Sequence, residues 1–263
     1  MWTEEQISKT PAELGSLDFI GDGWKLQLPV KDKDSGASVQ EVPPDALQRG
    51  YESEYFYAAV APDGKEAVVF HCPVSPNTTP NTRFARSELR EVPHGSDTTA
   101  NWSWQGSHIL VSEACVTHVP QTGKTITSQI HGIWPDGANA NPLVKVQFSY
   151  DAQAGMGCVD VLFKHSTVPG SPDERQTFPN VALGQRYVTT IRETDGVAYV
   201  TVCTEENGYT RSETYRHPFL LSDPQWSSMR FYFKLGNYIQ DCTDRSDGAY
   251  ADVWVFRASV RHT

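Results

Sequence analysis

From Met229 to Gln240 the chain alternates almost without fault. Phe231, Phe233, Leu235 and Ile239 share one parity, broken only by Asn237, while Tyr232, Lys234, Gly236, Tyr238 and Gln240 share the other. At strand periodicity this gives an apolar face and a face carrying phenols, an ammonium and an amide. Similar patterning bounded by turn residues predicts strands over residues 24–30, 54–61, 66–72 and 84–92, one or two within 101–119, and another over 125–134. The second half continues the pattern over 143–150, 158–164, 185–193, 196–204, 209–215 and 249–260. Pro62-Asp63-Gly64, Asp195-Gly196 and Asn207-Gly208 supply turns. About a dozen short strands, long loops, no long helix and no fixed repeat predict an all-β fold, a β-sandwich of jelly-roll type.

Residues 1–20 are polar, with a mild helical tendency around 11–17, and read as a leader packed on the outside of the body. Residues 21–263 then form a single domain, with loops over 31–50, 73–82 and 135–142. No apolar run is long enough to cross a membrane and no signal-peptide core is present, so a soluble chain is expected, any secretion signal having been removed.

The formal charge of −10 argues against general nucleic-acid binding, which needs net cationic character. It does not exclude a polyanion bound in one groove, because a few converging cations set the local field. Cys72, Cys115, Cys158, Cys203 and Cys242 lie far apart without a C-x-x-C pair, which removes the usual zinc and redox readings. The odd number leaves at least one free thiol.

Chemistry concentrates in three strands. Arg86, Glu88 and Arg90 share one parity of FARSELREV, and Gln129 and His131 share one parity of TITSQIHGIW, with Ile130 turned away. If these faces join that of Tyr232, Lys234, Tyr238 and Gln240, one groove holds three cations, two amides, an imidazole and phenols. That set suits abstraction of a proton next to a carboxylate. The ionised carboxylate of a uronic acid opposes enolate formation, so an enzyme must neutralise it and supply a base and an acid. The planar fork of arginine fits the first task. Imidazole titrates near neutrality, and a phenol among cations is expected to lose its proton more easily than usual. No metal or cofactor is required. Taken separately, the charged strand also fits a self-neutralised exposed ladder and the aromatic strand a wetted sheet face.

RSELR at 86–90, QIH at 129–131 and YFKLGNYIQ at 232–240 resemble the three signature motifs of polysaccharide lyase family 7, the alginate lyases. WKLQLPV at 24–30 and the FHCPV…TTPNTRFARSELRE run are also similar to that family, so the resemblance spans nearly the whole chain. One departure is Ser75-Pro76-Asn77, where the family pattern has a glycine before the threonines.

The resemblance implies a β-sandwich jelly roll with a concave substrate groove, which holds 1,4-linked alginate, cleaves it by β-elimination and leaves a 4,5-unsaturated sugar. By position, Arg86 and Gln129 neutralise the carboxylate, and His131 and Tyr238 transfer protons. Tyr238 is the acid toward the leaving oxygen, and in mannuronate also the base; in guluronate His131 takes the proton. Arg90, Lys234, Gln240 and Tyr232 bind neighbouring sugars, and Glu88 orients the two arginines. The isoleucine of QIH points toward guluronate-containing blocks, with endo or exo action left open. A monomeric, secreted or periplasmic enzyme is expected, with no nucleic-acid or membrane partner. Two other readings stay open: a lyase for another polyuronate such as glucuronan, and a non-catalytic jelly roll that binds acidic glycans.

The remaining histidines, His71, His94, His108, His118, His165, His217 and His262, lack ligand spacing and read as structural or exposed. Asp241, Asp244 and Asp247 before Gly248 do not match the alternate-residue spacing of an EF-hand, which favours a polar turn. Asn77 and Asn101 fit the glycosylation sequon.

Overall fold

A computed structural model describes residues 5–20, 23–33, 38–80, 82–92, 101–206, 208–243 and 248–263. His94, Asn207, Asp244 and Asp247, singled out above, lie outside the described residues.

In chain order the first strands are β1 (Glu5–Gln6), β2 (Trp24–Gln27), β3 (Glu41–Val42), β4 (Phe56–Val60), β5 (Glu66–Pro73) and β6 (Arg86–Glu91). The long central strands are β7 (Ser107–His118), β8 (Lys124–Ile133), β9 (Asn139–Asp151) and β10 (Met156–Lys164). Then come β11 (Asp173–Val181), β12 (Tyr187–Thr194), β13 (Val197–Glu206), β14 (Tyr209–His217), β15 (Arg230–Ile239) and β16 (Tyr250–His262). They form two antiparallel eight-stranded sheets, a back sheet ordered β1-β4-β5-β16-β7-β12-β13-β14 and a groove sheet ordered β11-β10-β9-β8-β15-β6-β2-β3. The result is the jelly-roll sandwich that the alternation predicts.

The core lies between the sheets. Phe231, Phe233 and Leu235 of β15, Ile130 of β8 and Leu89 of β6 meet Phe70, Val253 and Val255 of the back sheet, all essentially inaccessible to water. Because side chains alternate, burying these residues forces Arg86, Glu88, Arg90, Gln129 and His131 to the other face of the groove sheet. The β12–β13 hairpin turns through Asp195 and Gly196, both at positive φ (46° and 85°), as the tight two-residue turn of a right-twisted hairpin requires.

Several segments differ from the expectation, among them the loop read over 135–142, whose second half is the start of β9. Residues 5–6 pair with Val60 and Ala59, Leu17 bridges Ala258, and Leu17 and Phe19 are buried, so the N-terminal segment is woven into the back sheet rather than resting outside. Within 31–50, β3 pairs with β2, and a short helix, α1 (Pro44–Gln48), starts on the second proline of the pair. A proline at the first helical position gives up no hydrogen bond, so Pro43-Pro44 opens a helix as readily as it interrupts one. Asp173–Val181 forms an edge strand whose residues are mostly exposed, which leaves little hydrophobic period to read. The five cysteines are all free thiols, with Cys72 and Cys115 in the core. No helix among the described residues is long and apolar enough to cross a membrane.

Candidate active site

β6, β15 and β8 lie side by side, and their registers set the site. Arg90 pairs with Lys234 and Arg86 with Tyr238, while Gln129 pairs with Lys234 and His131 with Tyr232. Two adjoining cavities, about 460 and about 290 Å³, open on this face and share Arg86 and His131 in their walls. Arg90, Tyr232 and Lys234 line the larger, and Gln129, Tyr238 and Gln240 the smaller. His131 and Tyr238 thus face one space, with Arg86 and Gln129 beside them.

Glu88 is the fully buried centre of the floor. One carboxylate oxygen accepts from Arg86 Nη1 at 2.8 Å and from Lys234 Nζ at 2.7 Å, and the other accepts from Gln129 Nε2. Burial pushes this carboxyl toward neutrality, but Lys234 and Arg86 outweigh it and hold Glu88 ionised. Its partners are Arg86, Lys234 and Gln129, not the two arginines. Arg90 instead lies over the Tyr232 ring at 4.0 Å, as Arg86 lies over the Tyr238 ring at 3.9 Å. Arg86 Nε is buried with no hydrogen-bond partner.

The two proton-transfer candidates are both held neutral. His131 Nδ1 lies 2.9 Å from the Gly132 carbonyl, which fixes the tautomer with Nδ1–H donating and leaves Nε2 with a free lone pair. Burial, reinforced by Lys234, lowers its pKa to about 3. Tyr238 moves the other way from the expectation. Burial raises its pKa above the ordinary phenol value, and the opposing pull of Arg86 does not overcome it. Half-buried in the groove face, the phenol loses more hydration than one cation restores.

The face also recruits groups that the sequence reading did not single out. Lys25 and Gln27 of β2 line the larger cavity, and both bond Glu41 of β3, at 2.5 and 2.8 Å. Gln27 also accepts from Lys234 Nζ at 3.4 Å. Lys145 of β9 lines the smaller cavity and pairs with Asp173 at 2.6 Å. The alternation of WKLQ and of LVKVQ already placed Lys25, Gln27 and Lys145 on polar parities, the one signal available for them.

Asn101 is buried, which removes it as a sugar acceptor in the folded chain, and Asn77 hydrogen-bonds Ser75 and the Pro29 carbonyl.

A jelly roll with a cationic trough on one sheet, in which an imidazole and a phenol line one cavity beside an arginine and a glutamine, is the architecture of a polysaccharide lyase. The family model described as alginate lyase matches residues 17–262, and the chain belongs to this family, polysaccharide lyase family 7, whose members cleave alginate by β-elimination. Among solved structures, a double variant of the family 7 alginate lyase A1-II', with a histidine and a tyrosine replaced and the substrate GGMG bound, is 37% identical. The match covers 98% of both chains at a TM-score of 0.80. An alginate lyase from Pseudomonas aeruginosa is 26% identical with a TM-score of 0.71, over 92% of this chain and 99% of that one. A curated alginate lyase from Klebsiella pneumoniae is 24% identical over 93% of this chain and 90% of its own.

Proposed function

We propose that this alginate lyase acts within guluronate-containing blocks, with His131 as base and Tyr238 as acid. The observation that carries this reading is that both groups line one cavity in their neutral forms, His131 with Nε2 free and Tyr238 with its proton retained. In guluronate the C5 proton and the leaving oxygen lie on opposite sides of the ring, so elimination needs two groups, one ready to accept and one ready to donate. Arg86 and Gln129 neutralise the carboxylate, and His131 Nε2 takes the C5 proton. As the C4–O bond breaks and the C4–C5 double bond forms, Tyr238 protonates the departing oxygen. In mannuronate both events fall on one side, and Tyr238 must first lose the proton that burial helps it keep.

The complexes of A1-II' with GGMG and with the product GGG support a groove of this kind accepting guluronate-bearing chains. Cavities on both sides of the Arg86–His131 pair suit a chain laid across the site and cut internally. Arg90, Lys234, Tyr232 and Gln240 bind the flanking sugars, and Glu88 positions the cations beneath them. The enzyme works as a secreted or periplasmic monomer, free of membrane and nucleic acid, since its polymeric substrate does not enter cells.

The test is a time course on purified polyguluronate and polymannuronate, following the ultraviolet absorbance of the new conjugated double bond and sizing the products. Faster absorbance on polyguluronate with early mid-sized oligomers is the expected result. Faster turnover of polymannuronate, or of glucuronan, overturns the substrate assignment, and unsaturated monomer as the first product overturns internal cleavage.

A further inference from the structure

Away from the groove, three side chains that the linear sequence scatters come together. His165 follows β10, Glu174 sits near the start of β11, and His217 ends β14. One ligating atom from each lies within 4.8 Å of the others. We propose that these residues form a zinc-type metal site that staples the outer strand of the groove sheet to the outer strand of the back sheet.

The donor set selects the metal. Two imidazoles and one carboxylate suit zinc and neighbouring divalent transition metals, whereas calcium and magnesium prefer all-oxygen sites. Three protein ligands leave a fourth tetrahedral position for water. Bonds of 2.0–2.1 Å to a tetrahedral ion set ligand separations near ~3.3 Å, so the cluster closes by a small adjustment. His165 and Glu174 are exposed and free to make it, while His217 is buried and fixed.

The surroundings resemble those of a ligand set. His217 Nε2 lies 3.2 Å from the Lys164 carbonyl, the outer hydrogen bond that orients a ligating imidazole and leaves its other nitrogen as the electron-pair donor. Glu174 accepts from Gln176 through one oxygen and meets His165 Nε2 through the other. A metal takes the place of this direct contact between His165 and Glu174. The segment is anchored on either side, Thr167 by Asp223 and the carbonyls of Ser166, Thr167 and Val168 by Asn141 Nδ2.

The position assigns the site a structural role. β11 and β14 are the outermost strands of their sheets, on the same flank of the sandwich. Three strand spacings, about 14 Å, separate β11 from β8 in the groove sheet, so the metal does not touch His131.

The experiment uses the full chain after EDTA dialysis, without alginate, titrated with ZnCl2 and separately with CoCl2. Zinc at about a hundredfold excess over its Kd is expected to raise Tm by roughly 5–10 °C. Cobalt is expected to give an intense visible spectrum of tetrahedral type at one ion per chain. Glu174→Gln and His165→Ala, both at exposed positions, are expected to abolish both signals while keeping wild-type cleavage of alginate. An unchanged Tm together with no tetrahedral cobalt spectrum in the wild type overturns the site. So does a zinc shift that persists at full size in both variants, which places the metal elsewhere. If a variant folds poorly, the wild-type cobalt spectrum and stoichiometry still decide.

Discussion

Tyr238 shows how far a single residue's chemistry depends on what covers it. Its neighbours in the chain and across the strand suggest a phenol made acidic by arginine, yet its partial burial decides the outcome and the proton stays. A neutral phenol is an acid in waiting, and Tyr238→Phe removes that acid while keeping the ring beneath Arg86. The expected result is a fall in kcat of ~10² or more with the fold intact, the scale of losing a general acid or base. Single-turnover rates read it, and a near-wild-type rate would sink the assignment. His131 makes a prediction of pH. With its pKa lowered to about 3 by burial and nearby cations, it stays a neutral imidazole far into the acid range. The acid limb of kcat/KM is therefore expected well below the ordinary imidazole value of about 6.5. A limb at pH 6–7 would show that His131 titrates as an exposed histidine does. The same shift bears on stability. The folded pKa lies below the unfolded one, so the contribution is present above pH ~6.5 and is lost as pH falls toward the folded value.

At the scale of the element, β15 was legible because its two faces differ so plainly, and its one fault proved informative. Asn237 sits on the apolar parity, fully buried, with Nδ2 donating to the carbonyls of Phe70 and Ala251 at 2.8 and 2.7 Å and Oδ1 accepting from Thr125 at 2.7 Å. It ties β15 and β8 of the groove sheet to β5 and β16 of the back sheet. Just before it Gly236 adopts φ +142°, and a Cβ there would meet the Ser87 carbonyl at 2.7 Å and Phe70 at 2.8 Å. The register against β8 slips between Leu235 and Tyr238, a bulge of the kind that re-aims a side chain beside a site. No periodicity shows such a bulge, because it depends on a partner strand more than a hundred residues away. Asn237→Ala leaves buried carbonyls and a threonine hydroxyl without their partner. The expected loss is on the order of 2–4 kcal/mol in urea unfolding; an unchanged midpoint would mean that the amide holds nothing together. Elements escaped the sequence reading for related reasons. β1 and β3 are two-residue pairings too short to show a period, β11 is an exposed edge with little apolar period, and α1 hides behind two prolines.

For the whole molecule the total charge and the local field have opposite signs, and the difference has a measurable consequence. The chain carries −10, yet Lys25, Arg86, Arg90, Lys145 and Lys234 converge on one face where Glu88, Glu41 and Asp173 answer them only in part. Three of these cations were legible from strand parity. Lys25 and Lys145 were not assigned because only the sheet order brings β2 and β9 to the same trough. An anionic polymer approaching this protein is repelled by most of its surface and attracted at one, so binding depends on screening. Lys25 and Lys145 keep 16% and 18% of their side-chain surface exposed, whereas Arg86 and Lys234 keep 5% and 4%. Salt therefore weakens capture at the rim more than it disturbs the buried centre. Raising NaCl from about 0.05 to about 0.5 M shortens the screening length to a few ångströms and is expected to raise KM several-fold with kcat changed less than twofold. Initial rates on polyguluronate of fixed length measure both. A kcat that falls in step with rising KM would place the screened cations at the reacting sugar, and an indifferent KM would remove the electrostatic capture on which this use of the groove rests.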